Sequence, residues 1–257
     1  LLAAVAAGCG KGEYVLSKDS YEPRIVVQGF LQPGEHVERI WVSRNFRADA
    51  NLQHLRIILD AARVTLTDEG SGREYPLTFH PGERLKENYF EYTGDDLTIE
   101  YGGSYTIDVT ATIEGQALHT WATTTVPQPG FEIVGVNYGQ LPYRPLDEAG
   151  EPVNFAVTIE RNPDARLYLA TIRPVEGVAD SSNFVYDNPF TDEKPEDVQD
   201  ELTDWNYDYT WIQNVPREPG RSTIDLFWFA FWFYGEYEIT VYATDANYED
   251  FLQTFDD

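Results

Sequence analysis

The sequence predicts an all-β protein built from two consecutive β-sandwich domains with few short helices. Short segments in which apolar and polar residues alternate recur along the chain, and glycine or proline closes each of them. This pattern is typical of half-buried strands in a sandwich. Two alternating prolines in residues 126–130 interrupt the series, since proline stiffens the chain and cannot donate to a strand ladder. We therefore predict one sandwich over residues 23–126 and a second over residues 131–257.

Strict alternation defines the strands of the first domain. After an opening strand at residues 24–31, residues 61–68 place Ala62, Val64 and Leu66 on one face. Residues 104–111 direct their apolar side chains inward, and a Glu-Gly turn leads into a strand that pairs back. Residues 49–60 fit either a short helix or a loop that leads into a strand.

The second domain follows the same rules. Strands are predicted at residues 131–136, 153–160 and 167–172, with a loop over residues 142–152 and a turn at residues 161–164. A long acidic insertion, punctuated by proline, then precedes three aromatic strands that close the domain.

The N-terminal run, residues 1–9, is apolar, rich in small residues, and ends in the chain's only cysteine, Cys9. This is the pattern of a bacterial lipoprotein signal, in which the cysteine thiol accepts the lipid. An ordinary secretory signal and a buried apolar strand are the alternatives. We expect a lipid-anchored protein, with residues 1–9 as the remnant of the signal and residues 10–22 as a polar tether.

The formal net charge of −26 narrows the classes of partner. A surface this acidic repels phosphate backbones and anionic lipids, so we expect no nucleic-acid partner. Solubility, or adaptation to a salty medium, also accounts for such a charge. After Cys9 no apolar run approaches the length of a membrane-spanning helix, so membrane attachment is expected through lipid alone.

Two aromatic stretches are candidate binding surfaces. If residues 205–211 are extended, four rings share one face and could stack on sugar rings or on a partner's apolar surface: Trp205, Tyr207, Tyr209 and Trp211. If residues 226–234 form a strand, both of its faces are apolar, so the chain itself or a partner must cover one. The candidate docking patch is then Phe227, Phe229, Phe231 and Phe233. Burial within the chain is the alternative for both stretches.

The sequence contains no clear motif for a metal site or a catalytic site. Calcium could bind the carboxylates of the acidic insertion, although their spacing matches no EF-hand loop and equally suits a solvated helix face: Asp192, Glu193, Glu196, Asp197, Asp200, Glu201 and Asp204. The four histidines are isolated, and no nucleophile elbow or phosphate-binding glycine loop occurs. Because the chain contains so many Asp and Glu residues, a carboxylate pair that fits glycoside hydrolysis would occur by chance and is not evidence for that activity. We therefore expect no enzymatic activity and no cofactor.

Several of these stretches resemble the lipoproteins of domain-of-unknown-function family 4249, which are common in Bacteroidetes and related bacteria. The matching features are the run ending at Cys9 and the segments at residues 25–31, 61–66, 103–109 and 237–251. The glycine-rich closing segment usual in that family is absent, so the chain looks cut at both ends. In strand pattern the first half is also similar to carboxypeptidase-regulatory-like, or transthyretin-like, sandwiches, and we expect immunoglobulin-like or transthyretin-like topology.

The resemblance implies an accessory to nutrient uptake, because such lipoproteins are often encoded beside TonB-dependent outer-membrane receptors. We expect a non-catalytic lipoprotein, anchored to the bacterial outer membrane on its periplasmic or cell-surface side, that docks on a receptor barrel. The alternative is a stand-alone glycan- or peptide-binding module that uses the ladder from Trp205 to Trp211.

Overall fold

The computed structural model describes residues 21–47, 50, 57–140, 142–189 and 208–253, and the part of the chain it describes is mostly β. The predicted all-β, sandwich-type class is confirmed. The strands are β1 (Ile25–Gln28), β2 (Trp41–Arg44), β3 (Arg63–Asp68), β4 (Arg73–His80), β5 (Tyr89–Glu91), β6 (Ser104–Ile113), β7 (Gln116–Thr125), β8 (Glu132–Val136), β9 (Phe155–Glu160), β10 (Leu167–Pro174), β11 (Asp208–Gln213), β12 (Arg221–Leu226) and β13 (Tyr237–Thr244), and a helix α1 (Ala246–Gln253) follows β13.

The first sandwich packs a small sheet on a larger one. The larger sheet has the order β5-β4-β3-β6-β7, and the smaller sheet pairs β1 with β2. The core between them contains the residues that alternation directs inward, with Val64, Leu66, Tyr105 and Val109 buried and Ile107 packed against them. Alternation predicted this core because one buried face of a strand requires every second residue to be apolar.

The second sandwich packs two three-stranded sheets, β11-β10-β13 and β12-β9-β8. Its core combines the inner residues of both sheets, with Tyr168 and Ile172 from β10 meeting Ile159 from β9 and Ile224 from β12. None of these side chains is more than 1% exposed, so burial of apolar area stabilises this sandwich.

In each sandwich a tyrosine of the buried core binds loop backbone through its hydroxyl. The amide of Glu100 donates to the Tyr105 hydroxyl at 2.9 Å, and that hydroxyl donates to the Thr98 carbonyl at 3.4 Å. In the second sandwich the Asn162 amide donates to the Tyr168 hydroxyl at 2.6 Å, and the hydroxyl donates back to the Asn162 carbonyl at 3.2 Å. Burial raises the pKa of both phenols. These bonds fix a loop to each core because an unpaired buried polar group is costly.

Helix α1 brings the end of the second sandwich back to the first. The Asn247 amide donates to the Thr123 carbonyl of β7 at 2.7 Å, and the Thr124 hydroxyl donates to the Asp245 carboxylate. The Tyr248 ring lies 5.5 Å from that of Phe30. Asn247 therefore caps part of an edge strand that would otherwise present unpaired backbone.

The prediction of a strand across residues 226–234 is wrong. Strand β12 ends at Leu226, and a 3-10 turn, Trp228–Ala230, follows. The physical reason is that nine consecutive apolar residues leave a strand no polar face to turn towards water. The turn instead lets these rings face different directions.

Two boundaries also differ from the predictions. Tyr21 and Glu22, assigned to the tether, contact the first sandwich: the Arg44 guanidinium donates to the Tyr21 hydroxyl at 2.7 Å, and the Asn45 amide donates to the Glu22 carbonyl at 2.8 Å. Of the ambiguous stretch at residues 49–60, Ile58 forms a bridge to Ser43, while residues 49 and 51–56 lie outside the described residues.

Candidate functional site

The outer face of the sheet β11-β10-β13 carries an aromatic platform, defined here as Tyr209, Trp211, Leu169, Thr171, Thr240 and Tyr242. Strand pairing sets its rows. Leu169 lies opposite Trp211 on one side and Tyr242 on the other, and Thr171 lies between Tyr209 and Thr240. The platform thus has one apolar row and one adjoining row that contains two threonine hydroxyls.

Alternation in β11 explains why the platform faces outward. Asp208, Thr210 and Ile212 are half-buried on the inner side, whereas Tyr209 is 51% exposed and Trp211 is 38% exposed. Leu169 is only 8% exposed although it lies on the outer face, because rings stand opposite it on both sides. The Trp211-Leu169-Tyr242 row is therefore a packed apolar row on the exposed face of the sheet.

The platform contains two of the four predicted ladder residues. Tyr209 and Trp211 lie on its face, whereas Trp205 and Tyr207 lie outside the described residues. Sequence reasoning missed Leu169 and Tyr242, which come from strands far away in the sequence. Each occupies an alternate position of an apolar strand, but only the register shows that they flank the same row.

The predicted docking patch does not form one face. Of its four phenylalanines, Phe227 is 43% exposed and stacks on Phe229, with centroids 5.2 Å apart. Phe231 packs between Phe155 and Tyr237, and Phe233 is 2% exposed against Phe184. Most of this segment is thus covered from within the chain, which was the alternative explanation for its apolar character.

A second aromatic cluster surrounds the 3-10 turn. Tyr143 contacts Trp228 and Tyr234 edge-on, with centroids 5.8 Å and 6.0 Å away, and the Arg144 guanidinium lies 5.2 Å from the Trp228 ring centroid. Burial, with a smaller contribution from Asp187, raises the pKa of Tyr143 to about 12. These contacts make the cluster a structural anchor for the loop over residues 142–152.

Asp208 links this turn to the start of the platform strand. Its carboxylate accepts hydrogen bonds from the Tyr209 amide, at 2.6 Å, and from the Trp232 side chain. Burial nevertheless raises the pKa of Asp208 above its ordinary value, because desolvation disfavours the charged form more than these bonds favour it.

The described residues contain no cluster of three or more metal-ligating side chains. His80 lies 3.2 Å from the Glu91 carboxylate and His119 lies 2.5 Å from that of Asp108. The proposed lipid acceptor, Cys9, and the acidic residues from Asp192 to Asp204 fall outside the described residues. No helix in the described part of the chain is long and apolar enough to cross a membrane.

Fold and surface together define an all-β protein of two sandwiches with an aromatic platform on the second. The chain belongs to the family described as domain of unknown function DUF4249, whose model matches residues 12–257. No curated protein matches the chain.

Among solved structures, the chain is similar to a DUF4785 family protein from Legionella pneumophila subsp. pneumophila strain Philadelphia 1, with 13% identity and a TM-score of 0.27. The match covers 90% of this chain and 50% of that one. The chain thus spans half the length of that structure.

Proposed function

We propose that this protein is a non-catalytic lipoprotein that docks through its aromatic platform on an outer-membrane protein, as an accessory to a TonB-dependent receptor. The observation that carries the proposal is the packed apolar row of Trp211, Leu169 and Tyr242 on an exposed sheet face. An exposed apolar row with aromatic residues suits contact with a protein surface, because aromatic rings supply large contact areas at protein interfaces.

Charge and anchoring strengthen the docking proposal. With a formal net charge of −26, two copies of this chain repel each other, whereas a partner with a basic surface is attracted. Lipidation at Cys9 would confine the protein to the membrane surface. Confinement raises the effective concentration of the platform near an integral membrane partner, so even a weak contact becomes productive.

A second candidate function is binding of glycans or peptides on the same platform. The row that contains Tyr209 also holds Thr171 and Thr240, so hydroxyl groups adjoin an exposed ring. A sugar could stack on the ring and exchange hydrogen bonds with these hydroxyls. In this case Trp205 and Tyr207 would extend the binding surface.

Affinity capture from cell envelopes tests the docking proposal. The full-length protein, tagged at its C-terminus, is solubilised in mild detergent with its envelope, and the co-purifying proteins are identified. We expect a stoichiometric outer-membrane barrel with the unmodified protein and its loss with Trp211→Thr. Threonine retains strand preference, so this variant removes the ring with little effect on β11.

Tyr101→Thr is the matched control, because Tyr101 is also an exposed aromatic residue, 58% exposed, but lies on the first sandwich. Capture of the barrel by Tyr101→Thr but not by Trp211→Thr supports docking through the platform. If the unmodified protein is isolated alone, or if both variants retain the barrel, the docking proposal fails. The platform is then screened against soluble glycans and peptides.

Replacement of the cysteine tests the proposed anchor separately. Cys9→Ser removes the thiol that would accept the lipid. In the full-length precursor we expect this variant to leave the membrane fraction while the unmodified protein stays in it, as followed by fractionation and metabolic labelling with a fatty acid. Membrane association without label would contradict lipid anchoring.

A further inference from the structure

The outer face of the first sandwich contains an open depression of about 600 Å³ at the point where β2, β4 and β5 meet. We name it the ring pocket, and the residues considered below are Arg39, Trp41, His80, Glu83, Glu87 and Tyr89. Its volume lies within the roughly 300–1,000 Å³ typical of small-ligand sites. The pocket is separate from the aromatic platform, which lies on the other sandwich.

Three rings in one cross-strand row line the ring pocket. Tyr89 pairs with His80, and their rings stack in parallel with centroids 4.6 Å apart. The antiparallel bridge between Ile40 and Phe90 places Trp41 opposite Tyr89 on the other side. The row therefore runs from Trp41 through Tyr89 to His80 across three strands.

A loop that is held by its own side chains forms the wall. The Glu87 carboxylate accepts bonds from the amides of Glu83, at 3.0 Å, and Arg84, at 3.1 Å. The Asn88 side chain donates to the Gly82 carbonyl at 3.1 Å and accepts from the Gly82 amide at 3.2 Å. These bonds fix the backbone of the loop and the Glu87 carboxylate before a ligand arrives, which lowers the entropic cost of binding.

Two backbone features shape the pocket further. A Cβ atom on Gly82 would lie 2.1 Å from that of Glu87, so only glycine allows the loop to close this tightly. Arg39 has a φ of 56°, a left-handed conformation that is uncommon for residues other than glycine. Such strain is concentrated at binding and catalytic sites, where surrounding structure maintains it.

The chemistry of the lining selects one class of ligand. Flat rings bind the C–H faces of sugars, while carboxylates, a guanidinium and an imidazole exchange hydrogen bonds with hydroxyl groups. The carboxylates of Glu83 and Glu87 and the Arg39 guanidinium, which also pairs with Glu38 at 3.4 Å, line the same pocket. An anionic ligand would meet like charge on the carboxylates and a cationic ligand would meet like charge on Arg39, so a neutral ligand with hydroxyl groups suits this mixed lining.

We propose that the ring pocket binds a neutral saccharide, with one sugar ring packed against Tyr89 and Trp41 and its hydroxyls bonded to Arg39 and Glu83. This proposal goes beyond docking through the platform and does not depend on it. The two proposals fail separately, because the platform and the ring pocket share no residue.

The test is calorimetric titration of the full chain with a panel of neutral oligosaccharides, including fragments of starch, cellulose, xylan and mannan, with tryptophan fluorescence as a second readout. We expect at least one of them to bind with a millimolar or tighter Kd. We expect Tyr89→Ala and Trp41→Ala each to weaken that affinity roughly tenfold, since each removes an aromatic contact surface.

Arg39→Gly keeps the test decisive if an aromatic variant fails to fold. Glycine adopts a φ of 56° without strain, so this variant removes the guanidinium while the Tm stays constant or rises. We expect it to weaken saccharide binding severalfold, whereas Tyr101→Thr leaves binding unchanged. Absence of binding by every panel member, or equal binding by the folded pocket variants and the unmodified protein, would overturn the proposal.

Discussion

Strand β11 and the segment after β12 are both rich in aromatic residues, yet they fold in opposite ways. In β11 the rings alternate with polar residues, so Tyr209 and Trp211 stay on an exposed face. In residues 227–234 the apolar residues are contiguous, the strand has ended, and Phe233 and Phe231 turn inward. Only Phe227 and Tyr234 of that segment are exposed large apolar residues.

The difference teaches that the spacing of aromatic residues, more than their number, decides whether they form a surface. Alternation lets a strand bury one face and offer the other. A contiguous run offers no polar face, so burial of its rings within the chain is favoured over exposure. A binding surface is therefore expected on β11, and a stabilising cluster after β12.

The largest expected effect is the difference in the free energy of unfolding between two variants of residues 227–234, one that truncates an inward ring and one that truncates an exposed ring. We expect Phe233→Ala to lower the free energy of unfolding by roughly 3–5 kcal/mol, because it leaves a cavity against Phe184. Phe227→Ala should cost less than about 1 kcal/mol, since that ring is largely exposed. Urea unfolding followed by circular dichroism measures both. Similar losses for the two variants would mean that the segment is not divided into inward and outward rings.

Alkaline pH should weaken the same cluster through Tyr237. Its hydroxyl accepts from the Phe233 amide at 2.8 Å and donates to the Phe233 carbonyl at 2.9 Å, and burial raises its pKa to about 12. Below pH 10 the phenol is protonated in both states, so this stabilisation is fully present. As the pH rises from about 10 to about 12 the unfolded state loses its proton first, and stability falls.

The expected contribution of Tyr237 is a loss of about 1 kcal/mol between pH 9 and pH 11. Urea unfolding at both pH values measures it, and Tyr237→Phe is the control because it lacks the titrating proton. The variant should lose less stability than the unmodified protein over this interval. An equal loss in both proteins would show that Tyr237 does not titrate with folding.

The smallest change in the free energy of unfolding is expected for a substitution on the platform itself. Tyr209→Thr should change the free energy of unfolding by no more than about 0.5 kcal/mol, because half of the ring is exposed and threonine suits a strand. Differential scanning calorimetry of the variant and the unmodified protein measures the change. A loss comparable to that of Phe233→Ala would place Tyr209 in the core and remove it from the binding surface.

Much of the fold could be predicted because hairpins follow local rules. Alternation and turn residues gave β3, β4, β6 and β7, together with their inward side chains. Helix α1 was not predicted, because it has only eight residues and its amphipathic pattern is weak. It contacts β7 and Phe30, which are far away in the sequence. Tertiary contacts of that kind leave no local signal.

The candidate sites were only partly predictable for the same reason. The two described ladder residues were found because their alternation lies within one strand. Leu169 and Tyr242 join them through register, and the ring pocket combines residues from three separate segments near residues 40, 82 and 89. None of those segments is unusual by itself, although Pro81-Gly82 between two strands indicates a tight turn at the pocket.

The most direct measurement of the central claim is photo-crosslinking from the platform in intact envelopes. A photoreactive phenylalanine analogue replaces Trp211, and the same analogue at Tyr101 on the first sandwich is the control. If the platform docks on a membrane partner, position 211 forms one dominant crosslink to an outer-membrane barrel and position 101 does not. Crosslinks of equal strength from both positions, or none from position 211, would contradict the account.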